Sequence, residues 1–124
     1  VLLVEDEDAV RHLAKRLLER MGCTVLTAAT GADALQLALQ NNPPVQILLT
    51  DLVMPGMNGR ELAEKVLEHQ PETAILFMSG YARERVAPRT GALASSLFLQ
   101  KPFSARELRE TVRRARRENG SNSP

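Results

Sequence analysis

Cysteine is almost missing: Cys23 is the only one in 124 residues, which excludes an intramolecular disulfide framework and fits a reducing compartment. Long apolar runs are missing as well, since none approaches the roughly 18–20 residues needed to span a bilayer. Nor does any segment carry the pattern of a secretory signal. A cytoplasmic domain without direct membrane insertion is therefore expected, tethered at most through a longer parent protein. Charge of one sign is lacking too, with 16 Lys and Arg against 15 Asp and Glu. A formal net charge of +1 gives no global attraction to nucleic acid or to an anionic membrane. Internal repeats and internal linkers are absent. What remains is one domain's length of chain with 44% apolar residues, enough to bury a core without staples. Val1 already lies inside an apolar run, so either leading residues are missing or the chain is a piece of a longer protein.

That core is built by alternation. Val1-Leu2-Leu3-Val4 is apolar throughout and stops at Glu5-Asp6-Glu7-Asp8, as a strand buried on both faces does. Val10, Leu13, Ala14, Leu17, Leu18 and Met21 then follow helical spacing, with Gly22 as the stop. Residues 23–28 read as a second strand. Thr30 caps a helix through Ala34, Leu35, Ala38 and Leu39, which the Asn and Pro cluster at 41–44 breaks. Residues 45–50 form a third strand that ends at Asp51. Pro55, Gly56 and Gly59 make a turn-rich loop, and Asn58 caps a helix with Leu62, Ala63, Val66 and Leu67 on one face. A fourth strand over 73–78 ends at Ser79-Gly80. Pro88 and Gly91 interrupt any helix over 83–96. A fifth strand over 97–100 precedes Lys101-Pro102, and Ser104 caps a last helix with Ala105, Leu108, Val112 and Ala115 inward. The folded domain is expected over 1–118, followed by a polar, disordered tail over 119–124.

Five strands alternating with helices predict an α/β fold, a parallel sheet covered on both faces. Right-handed crossovers leave a flavodoxin-like or a Rossmann-like strand order, and in both the ligands bind at the carboxyl ends of the strands. Those ends carry Glu5 and Asp6, Asp51, Ser79 and Lys101. If strand one lies between two and three, three carboxylates converge and repel unless a cation intervenes. Oxygen donors with no His or Cys favour Mg²⁺, with Mn²⁺ as the alternative, over zinc. Lys101 adds positive charge and Ser79 a hydroxyl donor. A carboxylate in such a setting can act as nucleophile on a phosphoryl group, with the metal and the lysine neutralising the spread charge. Taken singly, each residue has an ordinary explanation: Glu5-Asp6 as a helix-capping pair, Asp51 as a turn residue, Ser79 and Lys101 as nothing in particular. Their joint occurrence at successive strand ends is what points to chemistry.

Four motifs in order resemble the receiver domains of response regulators. These are the opening Val1-Leu2-Leu3-Val4-Glu5-Asp6-Glu7, the loop from Asp51 through Met54-Pro55-Gly56 to Gly59, the pair Ser79-Gly80, and Lys101-Pro102-Phe103. The resemblance implies the flavodoxin-like three-layer sandwich with strand order 2-1-3-4-5. It implies that Asp51 accepts phosphate from a phosphohistidine on a histidine kinase or histidine phosphotransfer domain. Asp6, Asp51 and the backbone carbonyl of Val53 would then bind Mg²⁺. Glu5, standing where most receivers have Asp, would reach the metal through water. Lys101 would pair with a phosphoryl oxygen and precede a cis peptide, while Ser79 and Phe98 would form the switch. The domain itself would promote only its own phosphorylation and dephosphorylation, although the parent chain would be an enzyme if it is a histidine kinase.

Val53 and Tyr81, each two residues beyond a site residue, are expected to shield the aspartyl phosphate from water and slow its loss. Met54 and Met57 stand near the site as contacts for a phosphohistidine-bearing helix or as packing. The last helix carries six arginines interspersed with Glu107, Glu110 and Glu118 and no aromatic, so a solvated, ion-paired face is expected rather than nucleic-acid binding. The region 83–117 is the candidate surface for a homodimer. Wording around Ser79 and Lys101 is similar to C-terminal receivers of hybrid sensor histidine kinases, with a stand-alone single-domain regulator as the alternative. A phosphate-independent interaction module would have lost Asp6, Asp51 or Lys101, and all three are present. Phosphatases similar to the haloacid dehalogenase group carry two aspartates two apart after strand one, which Glu5-Asp6 does not match.

Overall fold

The computed structural model describes residues 1–41, 43–80, 93 and 95–120. Five strands, β1 (Leu2–Val4), β2 (Leu26–Ala28), β3 (Ile47–Asp51), β4 (Ala74–Ser79) and β5 (Leu97–Gln100), form one parallel sheet in the order β2-β1-β3-β4-β5. Helices α1 (Asp8–Arg20), α2 (Gly31–Gln40), α3 (Gly59–His69) and α4 (Ala105–Gly120) cover it. This is the flavodoxin-like order, and the Rossmann-like alternative is excluded. The strand pleat sorts the core into two layers. Leu2, Val4, Leu48, Ile75 and Phe77 pack with Ala34 and Ala38 of α2 and with Leu62, Ala63 and Val66 of α3. Leu3, Ile47, Leu49, Leu76, Met78, Leu97 and Leu99 pack with Ala14 and Leu18 of α1 and with Leu108, Val112 and Ala115 of α4.

The caps expected from sequence are formed. Thr30 Oγ1 accepts from the Asp33 amide at 3.1 Å. Asn58 and Glu61 exchange a reciprocal capping box, and Ser104 and Glu107 do the same at 3.0 Å in each direction. Gly22 stops α1 with φ of +88°, a conformation that favours glycine.

Some boundaries move. β2 begins at Leu26 rather than at 23, because the Cys23 amide is still held by the Leu18 carbonyl at 3.1 Å as the helix unwinds. The backbone of α4 runs to Gly120, two residues into the expected tail, and 121–124 lie outside the described residues. Of the stretch 83–96, only 93, 95 and 96 are described. Leu13, read as part of the core face of α1, is 55% exposed. Its side chain lies at the carboxyl end of the sheet, the end where the site is built.

Candidate phosphoacceptor site

β1 and β3 are neighbours with Val4 opposite Thr50, so Glu5-Asp6 and Asp51 leave the sheet side by side. One carboxylate oxygen from each of Glu5, Asp6 and Asp51 lies within 4.8 Å of the others. Asp6 is exposed, Asp51 is 6% exposed and Glu5 is fully buried. Ser79 ends β4 in full burial, and its carbonyl accepts from the Lys101 amide at 2.7 Å, which ties the ends of β4 and β5 together. The Lys101–Pro102 peptide is cis, as the resemblance implied. From this turn Lys101 reaches inward, its Nζ 2.9 Å from Glu5 Oε1 and 3.2 Å from Asp51 Oδ2.

The electrostatics follow from that geometry. Burial pushes the Asp51 carboxyl above the ordinary aspartate value; the charge and hydrogen bond of Lys101 and the Val53 amide pull it back only in part, and Asp6 adds repulsion. Glu5 is raised for the same first reason, burial, against hydrogen bonds from Lys101 and the Glu7 amide. Burial works against the Lys101 ammonium, yet the bond to Glu5 and the charges of Asp51 and Glu5 outweigh it and hold the ammonium above its ordinary value. Three carboxylates around one ammonium leave a surplus of negative charge. All the donors are oxygens, and Asp6 stands open to water, which fits a hard divalent cation that keeps part of its water shell.

The loop after Asp51 is held close by α3. A Cβ on Gly59 would lie 2.1 Å from the Asp51 carbonyl oxygen, so only glycine lets the helix start against the strand end. Met54 is 6% exposed and packs in the core, and Met57 is half-buried against it; both serve packing. Val53 is 60% exposed at the mouth of an open cleft of about 530 Å³, whose floor carries Asp6, Asp51 and Lys101. Val10, Leu13 and Phe103 line the same cleft. Sequence patterning placed Val10 and Leu13 in the core; the breadth of the apolar face, five positions over α1 and a sixth at its cap, Met21, was the one sign that part of it faces elsewhere. Phe98 is half-buried beside Phe77, with ring centroids 5.7 Å apart. Tyr81 lies outside the described residues. On α4 the ion pair among the described residues is Arg106 to Glu110 at 3.1 Å, and Arg116 donates to Cys23 Sγ at 3.1 Å.

Three carboxylates and a lysine gathered at the carboxyl ends of a 2-1-3-4-5 sheet, with Ser79 ending the next strand, define a class of aspartate phosphoacceptor switches. The family model for the response regulator receiver domain matches residues 1–113, and the chain belongs to that family, the receivers of two-component signalling. It is 42% identical over 113 residues to the sensor kinase CckA of Brucella abortus, covering 91% of this chain and 12% of that protein. It is 38% identical over 108 residues to the response regulator receiver protein CpdR of the same organism, covering 87% and 88%. Among solved structures, the receiver domain of the hybrid histidine kinase CckA superposes with a TM-score of 0.78 at 37% identity, over 92% and 95% of the two chains. The chain thus spans only a small part of one relative and nearly all of another. Among the described residues no helix is long and apolar enough to cross a membrane.

Proposed function

We propose that Asp51 is the phosphoacceptor of this receiver, taking a phosphoryl group from a phosphohistidine on a histidine kinase or histidine phosphotransfer domain. The observation that carries this is the ammonium of Lys101 set 3.2 Å from Asp51 Oδ2 inside a three-carboxylate cluster. An Asp51 oxygen bonds to phosphorus as the bond from phosphorus to the donor imidazole nitrogen breaks. Lys101 turns one of its N–H donors to a phosphoryl oxygen, so catalysis rests on placement and charge rather than on a general base. Asp6, Asp51 and the Val53 carbonyl are the residues that would hold Mg²⁺, which when bound supplies charge to neutralise the phosphoryl oxygens. The buried Ser79 hydroxyl and the half-buried Phe98 ring are the switch pair, the one bonding the phosphoryl group and the other moving inward.

The apolar rim of the cleft supports a helical donor. Leu13 and Val53, 55% and 60% exposed, line the same cleft as Asp6, Asp51 and Lys101 together with Val10 and Phe103, offering contacts to a helix that brings its histidine to Asp51. The likeness to CckA supports a place at the end of a hybrid sensor histidine kinase. The match over 88% of CpdR favours a second reading, a stand-alone regulator. Coding sequence on either side of this chain separates the two.

The chemistry is tested by incubating the protein with acetyl phosphate and Mg²⁺ and weighing the intact product. One added phosphoryl group is expected in the wild type and none in Asp51→Asn. Modification that persists in Asp51→Asn overturns the assignment.

A further inference from the structure

Glu5 is the member of the cluster whose surroundings differ from what a metal ligand needs. Its side chain is fully buried. Oε1 accepts from Lys101 Nζ at 2.9 Å, and Oε2 accepts from the Glu7 amide at 3.1 Å. Its backbone is fixed as well: the amide donates to the Ala28 carbonyl at 3.1 Å, and the carbonyl accepts from the Arg11 guanidinium at 2.9 Å. No buried side-chain polar atom of the described residues is left without a partner, Glu5 included, so nothing here calls for a metal to satisfy it. Mg²⁺ sheds its waters reluctantly, and a carboxylate that reaches it through water must itself touch water. Asp6, one residue on, is exposed and meets that condition; Glu5 does not. Between Glu5 and Asp51, moreover, the ammonium of Lys101 already fills the place of a bridging cation.

We infer that Glu5 is a positioning residue for Lys101 and not a metal ligand, an inference that rests on the reading of Asp51 as phosphoacceptor. Glu5 keeps one N–H of the ammonium in a fixed, dry contact, so that another can pass from the Asp51 carboxylate to a phosphoryl oxygen without the side chain having to search. One glutamate oxygen accepts from the Glu7 amide while the other accepts from Lys101, so both ends of the carboxylate are held.

Two measurements test this. In the wild type, the side-chain carboxyl ¹³C resonances of Glu5, Asp6 and Asp51 are followed by NMR during titration with Mg²⁺ alone. Asp6 and Asp51 are expected to shift together, with Glu5 moving by a small fraction as much; a Glu5 shift equal to that of Asp6 overturns the inference. The second uses Glu5→Gln, whose single acceptor can serve Lys101 or the Glu7 amide but not both. At saturating Mg²⁺ its phosphorylation by acetyl phosphate is expected to slow by about 10-fold, the scale of a lost outer-shell partner. The loss should vanish in a Lys101→Met background. A rate restored simply by more Mg²⁺, or a loss that persists without Lys101, overturns the inference. If Glu5→Gln does not fold, the wild-type resonances still decide. An unmodified wild type would refute the Asp51 assignment and leave the Glu5 shift to be read by itself.

Discussion

Lys101→Met replaces the ammonium by an apolar chain of similar length and so isolates its charge. In the native fold Nζ serves two carboxylates whose side chains are 0% and 8% exposed, and its own side chain is 17% exposed. At an effective dielectric of about 20, each contact near 3 Å is worth about 5 kcal/mol of gross attraction, most of it cancelled by desolvation of the three groups. The decisive quantity is what the substitution leaves behind. Glu5 would keep the Glu7 amide but lose the cation it pairs with among the described residues while fully buried, and breaking a buried pair in this way costs about 3–5 kcal/mol. Partial exposure at Lys101 lets some water in, which puts the expected loss at the lower end, about 3 kcal/mol. For a domain of this size that is a fall in Tm of about 10 °C.

The assay is urea denaturation of wild type and Lys101→Met in EDTA from neutral pH downward. Glu5 and Asp51 bind protons more tightly in the folded than in the unfolded state, since burial raises both. Such groups make the fold less stable as pH rises, because their charged form is the disfavoured one. Without Lys101 that imbalance grows. The penalty of the substitution is therefore largest near pH 7 and shrinks on acidification as Glu5 takes up a proton. A variant as stable as wild type at neutral pH, or a penalty that does not change with pH, would refute the view that Glu5 depends on Lys101.

Gly59→Ala sets a methyl group 2.1 Å from the Asp51 carbonyl oxygen, where the obstacle is backbone and cannot turn away; the expected loss is about 2–3 kcal/mol in urea denaturation, with slower phosphorylation as the Asp51 loop shifts. Unchanged stability would mean that the start of α3 is free to move. Val53→Asn replaces the exposed apolar side chain at the cleft mouth by one that can hold a water, and the aspartyl phosphate is expected to decay several-fold faster by intact mass against time. A lifetime unchanged or longer would dispose of the shielding role.

Much of this site could be read from short-range chemistry. The caps at Thr30, Asn58 and Ser104 were legible because a cap is a contact within four residues. The strand ends were legible because an apolar run stops where the sheet meets solvent. The order of the strands was not, since periodicity left two topologies open and the resemblance chose between them. The path of Leu13 was hidden because an apolar stripe shows which residues avoid water in general, not which neighbour they meet. Met54 illustrates the converse: its place near Asp51 in sequence left partner contact and packing both open, and the fold puts it in the core.

The strand order matters more to the chemistry than to stability. In a Rossmann-like order strands one and three are not neighbours, and the same Asp6 and Asp51 would stand two strand spacings, about 10 Å, apart. Only with β1 beside β3 do the carboxylates repel strongly enough to require cations, and only then does one lysine reach two of them. The pleat then separates the tasks. Asp51 extends the face of Leu49, toward α1 and α4, while Ser79 and Phe98 share the face of Phe77, toward α2 and α3. On the proposed roles, a phosphoryl group on Asp51 would act across the end of the sheet to reach Ser79 and Phe98. The hydrogen bond from the Lys101 amide to the Ser79 carbonyl joins the two sides, so the lysine proposed to meet the phosphate is tied through its backbone to the serine proposed to report it.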